Sequence, residues 1–112
     1  MKIYHNPRCS KSRQTLALLK ENGIDPEVIL YLDKAPTTQE LLDLLNKLQL
    51  SPIQLVRKGE AIWKEKFKGK DLSDDDIIKA MILNPKLIER PIVVKGNKAV
   101  LGRPPENVLQ LI

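Results

Sequence analysis

The run His5-Asn6-Pro7-Arg8-Cys9-Ser10-Lys11-Ser12-Arg13 holds the residue types in this chain best suited to covalent chemistry. Cys9 is the single cysteine. A cysteine attacks as its thiolate, so its surroundings must favour the charged sulfur. Cys9 falls in the turn between a short apolar strand and a helix. There the free N–H groups of the first helical turn and the helix dipole stabilise negative charge. Arg8, Lys11 and Arg13 add positive charge nearby. The same features bind oxyanions, so one small site can hold a tetrahedral anion beside the attacking sulfur. The competing reading of a lone cysteine is a small buried hydrophobe. Its place among basic residues at a strand-to-helix turn argues against that.

The neighbours carry plainer readings too. Ser10 reads as a helix cap, and Ser12 as a cap or a hydrogen-bond partner of the thiolate. His5 is either a strand-end residue or an influence on Cys9. Lys11 and Arg13 fit ordinary solvated helix charges, Arg13 more than Lys11.

The elements that position this run follow from pattern. Residues 2–5 read as a strand ended by Asn6-Pro7, and Ser10 to Asn22 as a helix stopped by Gly23. Residues 27–31 read as a second strand. Thr37 and Glu40 form a capping-box pattern ahead of an amphipathic helix through Leu41, Leu44, Leu45 and Leu48. Pro52 opens a short helix, residues 60–67 form another, and residues 68–72 form a loop. Ser73 with three aspartates opens a helix over 74–83, ended by Asn84-Pro85. The β-branched runs at 92–94 and 99–101 flank Gly96-Asn97 and predict a hairpin. Pro104-Pro105 starts a C-terminal helix through Leu111. A β-α-β start makes the first two strands parallel, and the hairpin adds antiparallel ones. The expected fold is α/β, a four-stranded mixed sheet with flanking helices.

Composition sets limits. At 112 residues the chain suits one domain. One cysteine excludes an internal disulfide, and one cysteine with one histidine argues against a zinc site, so no metal is expected. A net charge of +5 favours anionic partners in a general way. With only four aromatic residues and no basic-aromatic stripe, nucleic acid is not an expected partner. No apolar run is long enough to span a bilayer and the N-terminus has no secretory pattern, so no membrane partner and a cytoplasmic location are expected.

The run His5-Asn6-Pro7-x-Cys9-Ser10-Lys11-Ser12-Arg13 resembles the active-site signature of the glutaredoxin-dependent arsenate reductase family. The likeness continues at Val56-Arg57-Lys58-Gly59-Glu60, at Glu89-Arg90-Pro91-Ile92-Val93 and at Gly102-Arg103-Pro104-Pro105-Glu106. The short length is similar to the family's compact branch. The resemblance implies a thioredoxin-like fold over residues 1–112 with an all-helical insertion at about 35–88. It implies Cys9 as nucleophile, with His5 and Ser12 favouring its thiolate. It implies that Arg57, Arg90 and Arg103 bind the oxygens of arsenate or a similar oxyanion, a task suited to permanently charged, bidentate guanidinium groups. Without the resemblance, Arg57 and Arg103 read as surface residues and Arg90 as an ion-pair partner. Pro91 matches the proline that is cis in such folds and faces the cysteine. Ser10 and Lys11 lie beside the site.

The implied reaction forms a cysteine–arsenate adduct that glutathione and glutaredoxin resolve. Glutathione is then a co-substrate, with no resident cofactor, and a monomer is expected. The sequence supports one part independently. With no second cysteine, and Ser12 where a dithiol enzyme carries one, the reductant must be an external thiol. Alternatives are a monothiol oxidoreductase acting on glutathione mixed disulfides, and an Spx-type regulator that binds RNA polymerase. Regulators of that type typically carry a Cys-x-x-Cys pair, which Cys9 and Ser12 do not form. A third is a plain anion-binding module with an unreactive thiol.

Overall fold

The structure is a computed structural model describing residues 1–112. The chain forms two compact units, one of residues 1–34 with 90–112 and one of residues 35–89.

The first unit is built on a four-stranded sheet. Its elements are β1 (Lys2–Tyr4), α1 (Ser10–Glu21), β2 (Glu27–Ile29), β3 (Ile92–Lys95), β4 (Lys98–Leu101) and a 3-10 helix, Pro105–Leu111. The strand order is β2-β1-β3-β4. β1 runs parallel to β2, with Ile3 opposite Val28, and antiparallel to β3, with Ile3 opposite Val93. The β3–β4 hairpin closes with Lys95 opposite Lys98. Gly96 in its turn has φ of 61°, a conformation that costs glycine little. The core joins Ile3, Leu19, Val93 and Val108, each fully buried, with Leu111. Burying each large aliphatic chain contributes about 1.5–3 kcal/mol.

Helix α1 is amphipathic in an unusual way. Its buried positions are Ser12, Thr15 and Leu19, so the inward face is polar near Cys9 and apolar farther on. That polar end lies closest to the chemistry.

The end of β2 differs from expectation. β2 ends at Ile29, because Asp33 N and Lys34 N both bond the Leu30 carbonyl, at 3.1 and 3.2 Å, and turn the chain. The expected C-terminal helix runs through Leu111 and is of the 3-10 kind. Pro105, Val108 and Leu111 recur every third residue and are all buried, which the 3.0-residue turn allows.

The second unit is helical: α2 (Thr38–Leu48), α3 (Pro52–Leu55), α4 (Ala61–Lys66), α5 (Asp74–Leu83) and a 3-10 turn at Pro85–Leu87. Capping boxes start α2 at Thr37–Glu40 and α5 at Ser73–Asp76. α5 packs against α2, α3 and the 3-10 turn. Sequence reading missed a lone antiparallel bridge between Val56 and Ile88. No helix is long and apolar enough to cross a membrane.

Candidate active site

Cys9 occupies the N-cap of α1, in extended conformation with φ −91° and ψ 122°. The expectation that Ser10 caps this helix is therefore corrected. Ser10 is the exposed first helical residue, and no side chain caps the start. The reason is register: Cys9 N bonds Asn6 O at 3.0 Å, and Cys9 O accepts from Arg13 N at 3.0 Å, so the helix begins one residue earlier than a Ser10 cap requires.

With the cap position held by sulfur, the first-turn N–H groups act on Cys9. Burial pushes the thiol pKa up. The Ser12 N–H, the Arg90 side chain, the Lys11 N–H and the Arg90 charge together outweigh it, and the net shift is downward. Lys11 thus contributes through its backbone while its side chain is exposed.

Two arginines meet at the sulfur. Arg103 Nη1 lies 3.8 Å from Cys9 Sγ and donates to the Arg90 carbonyl at 3.3 Å. Arg90 is buried, and its side chain donates to the Cys9 sulfur. Each arginine precedes a proline in a cis peptide bond, Arg90-Pro91 and Arg103-Pro104. The cis Pro91 was raised from the resemblance; the cis Pro104 was not foreseen.

His5 and Ser12 form a buried brace. His5 Nδ1 is 2.6 Å from Ser12 Oγ, which also accepts from the Asn6 N–H at 3.1 Å. Burial first, then the charges of Arg13 and Lys20, lower the His5 pKa, so the imidazole is neutral near pH 7. The assignment that uses each group has Ser12 O–H donating to Nδ1 and the ring proton on Nε2. His5 therefore brings no positive charge to the sulfur, and the Ser12 hydroxyl is engaged by His5 and Asn6. Ser12 acts on Cys9 through its backbone N–H.

The loop ahead of Cys9 is tied down on several sides. Asn6 Oδ1 accepts from Arg8 N at 3.0 Å, and Arg13 Nη1 donates to Pro7 O at 3.0 Å. Arg13 is more than a solvated helix charge, since it holds the cysteine loop. Thr15, whose hydroxyl donates to the Gly102 carbonyl at 3.2 Å, was passed over in the sequence, and Asn6 and Gly102 stood inside the quoted motifs without a role of their own at the site. The Asn-Pro turn signal marked Asn6 only as a chain reversal.

Arg57 belongs to the helical unit. Its Nε lies 3.4 Å from Glu60 and its Nη1 3.6 Å from Glu89. Its own N–H bonds Leu87 O at 2.7 Å.

A partly exposed sulfur whose pKa is lowered, flanked by two guanidinium groups and two backbone donors, is suited as its thiolate to attack an electrophilic oxyanion and to stabilise the charge it carries. No group of histidine, cysteine and carboxylate side chains suited to a metal is present.

The chain is similar to known proteins along its whole length. Residues 4–111 match the ArsC family. The arsenate reductase of Haemophilus influenzae is 46% identical over 112 residues, covering 98% of this chain and 97% of that protein. The Escherichia coli K12 protein titled "Uncharacterized protein YfgD" is 54% identical over 114 residues, covering 100% and 96%. The structure of the arsenate reductase from Vibrio cholerae is 50% identical, with a TM-score of 0.95 over 99% of this chain and 96% of that one. The mixed sheet and its helices are the thioredoxin-like fold of these structures. The chain belongs to the ArsC family.

Proposed function

We propose that this protein reduces arsenate, or a similar small oxyanion, through a covalent adduct on Cys9, with glutathione and glutaredoxin as external thiols. The observation that carries this reading is the Cys9 sulfur at the start of α1 with Arg103 Nη1 at 3.8 Å and Arg90 donating to it.

In the proposed reaction the thiolate attacks arsenic and one arsenate oxygen leaves as water. Arg90 and Arg103 offset the negative charge on the remaining oxygens. Glutathione then adds its sulfur to arsenic and displaces a second water. The glutaredoxin thiolate attacks the glutathione sulfur, and the arsenic–sulfur bonding pair stays on arsenic. Arsenic gains two electrons and a glutathione–glutaredoxin disulfide forms. Water then displaces Cys9, releasing arsenite. The lone cysteine supports the external thiols, since this chain holds no second thiol to resolve the adduct.

The test is arsenate-dependent NADPH oxidation in the presence of glutathione, glutaredoxin and glutathione reductase. Turnover that needs arsenate and vanishes in Cys9→Ser supports the reading. Turnover that persists in Cys9→Ser removes the nucleophile. Reduction of glutathione mixed disulfides with no arsenite formed points to the monothiol alternative.

A further inference from the structure

The helical unit contains a cavity of about 570 Å³ that the chemistry of Cys9 does not use. Two features of its wall stand together. Trp63, itself buried, stacks on the partly exposed Phe67 with centroids 5.6 Å apart and planes at 27°, which holds the Phe67 ring as an aromatic face of the cavity. Lys58, Lys64, Lys68 and Lys70 also line it. These four lysines are exposed, and none of them joins the ion pairs Lys47–Asp43, Arg57–Glu60 and Arg57–Glu89. Asp71 and Asp74 complete the charged lining and leave two positive charges in excess.

From this combination we propose that the cavity binds an aromatic ring carrying phosphate, a ligand of the nucleoside phosphate class. The volume lies within the range of small-molecule sites, roughly 300–1,000 Å³. A neutral apolar ligand would leave the excess positive charge of the exposed lysine rim without a counter-charge. A bare inorganic anion would leave the aromatic surface and most of the cavity unused. A phosphorylated ring satisfies both halves: the ring lies against Phe67, which Trp63 backs, and the phosphates meet lysine ammonium groups acting as point charges. This site is independent of the arsenate reading.

Trp63 is the only tryptophan, so its fluorescence reports on this cavity alone. The experiment titrates the full chain with ADP, with adenosine and with pyrophosphate, exciting at the red edge of the indole band where adenine does not absorb. The expected result is saturable quenching by ADP that weakens with added salt. Adenosine and pyrophosphate are each expected to bind at least about tenfold more weakly, a difference of about 1.4 kcal/mol. The Lys64→Gln/Lys68→Gln variant is expected to lose about tenfold in ADP affinity and to keep its melting temperature and arsenate turnover. Absence of saturation with ADP overturns the proposal. So does pyrophosphate binding as tightly as ADP, or ADP affinity unchanged in the double variant.

Discussion

The Thr15 hydroxyl sits 3.2 Å from the carbonyl oxygen of Gly102, across 87 residues of sequence. It also reaches the Lys11 carbonyl at 2.8 Å. Thr15 lies on α1, the helix whose N-cap is Cys9, and Gly102 immediately precedes Arg103. This contact fixes the strand end that delivers Arg103 against the helix that presents the sulfur. The fit leaves no room for a side chain. A Cβ on Gly102 would lie 2.5 Å from Thr15 Oγ1 and 2.8 Å from Pro91 Cγ.

Gly102→Ala should therefore push α1 and the Arg103 segment apart. Overpacking of this kind costs roughly 1–3 kcal/mol. The expected outcome is a lower melting temperature together with a higher Cys9 pKa, read by thermal unfolding and by the pH dependence of thiol alkylation. An unchanged melting temperature and pKa would show that the neighbours absorb the methyl group.

Arg103→Ala removes the guanidinium 3.8 Å from the sulfur. The Cys9 pKa should rise. A charged hydrogen bond is worth about 1.5–3 kcal/mol, so kcat/KM for the proposed arsenate reduction should fall by roughly ten- to a hundredfold. Arg103→Lys keeps the charge and loses the fork, and should recover only part of the rate. Steady-state kinetics of the two variants measure the difference.

Ser12→Ala leaves the Asn6 N–H and His5 Nδ1 without their shared partner, since Ser12 Oγ serves both at 3.1 and 2.6 Å. An orphaned buried polar group costs about 1–3 kcal/mol. Because Ser12 acts on the thiolate through its backbone, the Cys9 pKa should move far less than in Arg103→Ala. Denaturant unfolding and alkylation profiles of the two variants separate these effects. A Cys9 pKa raised equally in both would assign the Ser12 hydroxyl to the sulfur.

His5 gives the protein a pH-dependent stability. Its folded pKa lies below the ordinary value, through burial first and then the charges of Arg13 and Lys20. Between the folded and unfolded pKa values the unfolded chain binds the extra proton. Stability from this group is thus complete above the unfolded value near 6.5 and is lost as pH falls toward the folded value. Urea midpoints for wild type and His5→Gln, compared at neutral and mildly acid pH, should show a smaller acid loss in the variant.

Much of the fold was legible because its signals are local. The capping residues Thr37 and Ser73, the Gly96-Asn97 hairpin turn and the strand-to-helix turn at Cys9 each declare themselves within a few residues. What local pattern does not reach depends on pairs far apart in sequence. Arg103 meets Cys9 across 94 residues, a placement that only the family resemblance implied, and Thr15 reaches Gly102 across 87, which nothing in the sequence signalled. Nothing near either residue fixes that register; the order β2-β1-β3-β4 does. The division of labour at Ser12 was hidden for another reason. A serine at the third helical position fits both a backbone and a hydroxyl role, and only the 2.6 Å contact with His5 decides between them.

The central claim is that the start of α1 and its two arginines lower the Cys9 pKa, and its direct test is the rate of iodoacetamide alkylation of the wild-type chain as a function of pH. The account expects a midpoint clearly below that of a free cysteine, about 8.5, and a shift upward in Arg103→Ala. A wild-type midpoint at or above the free value would contradict it.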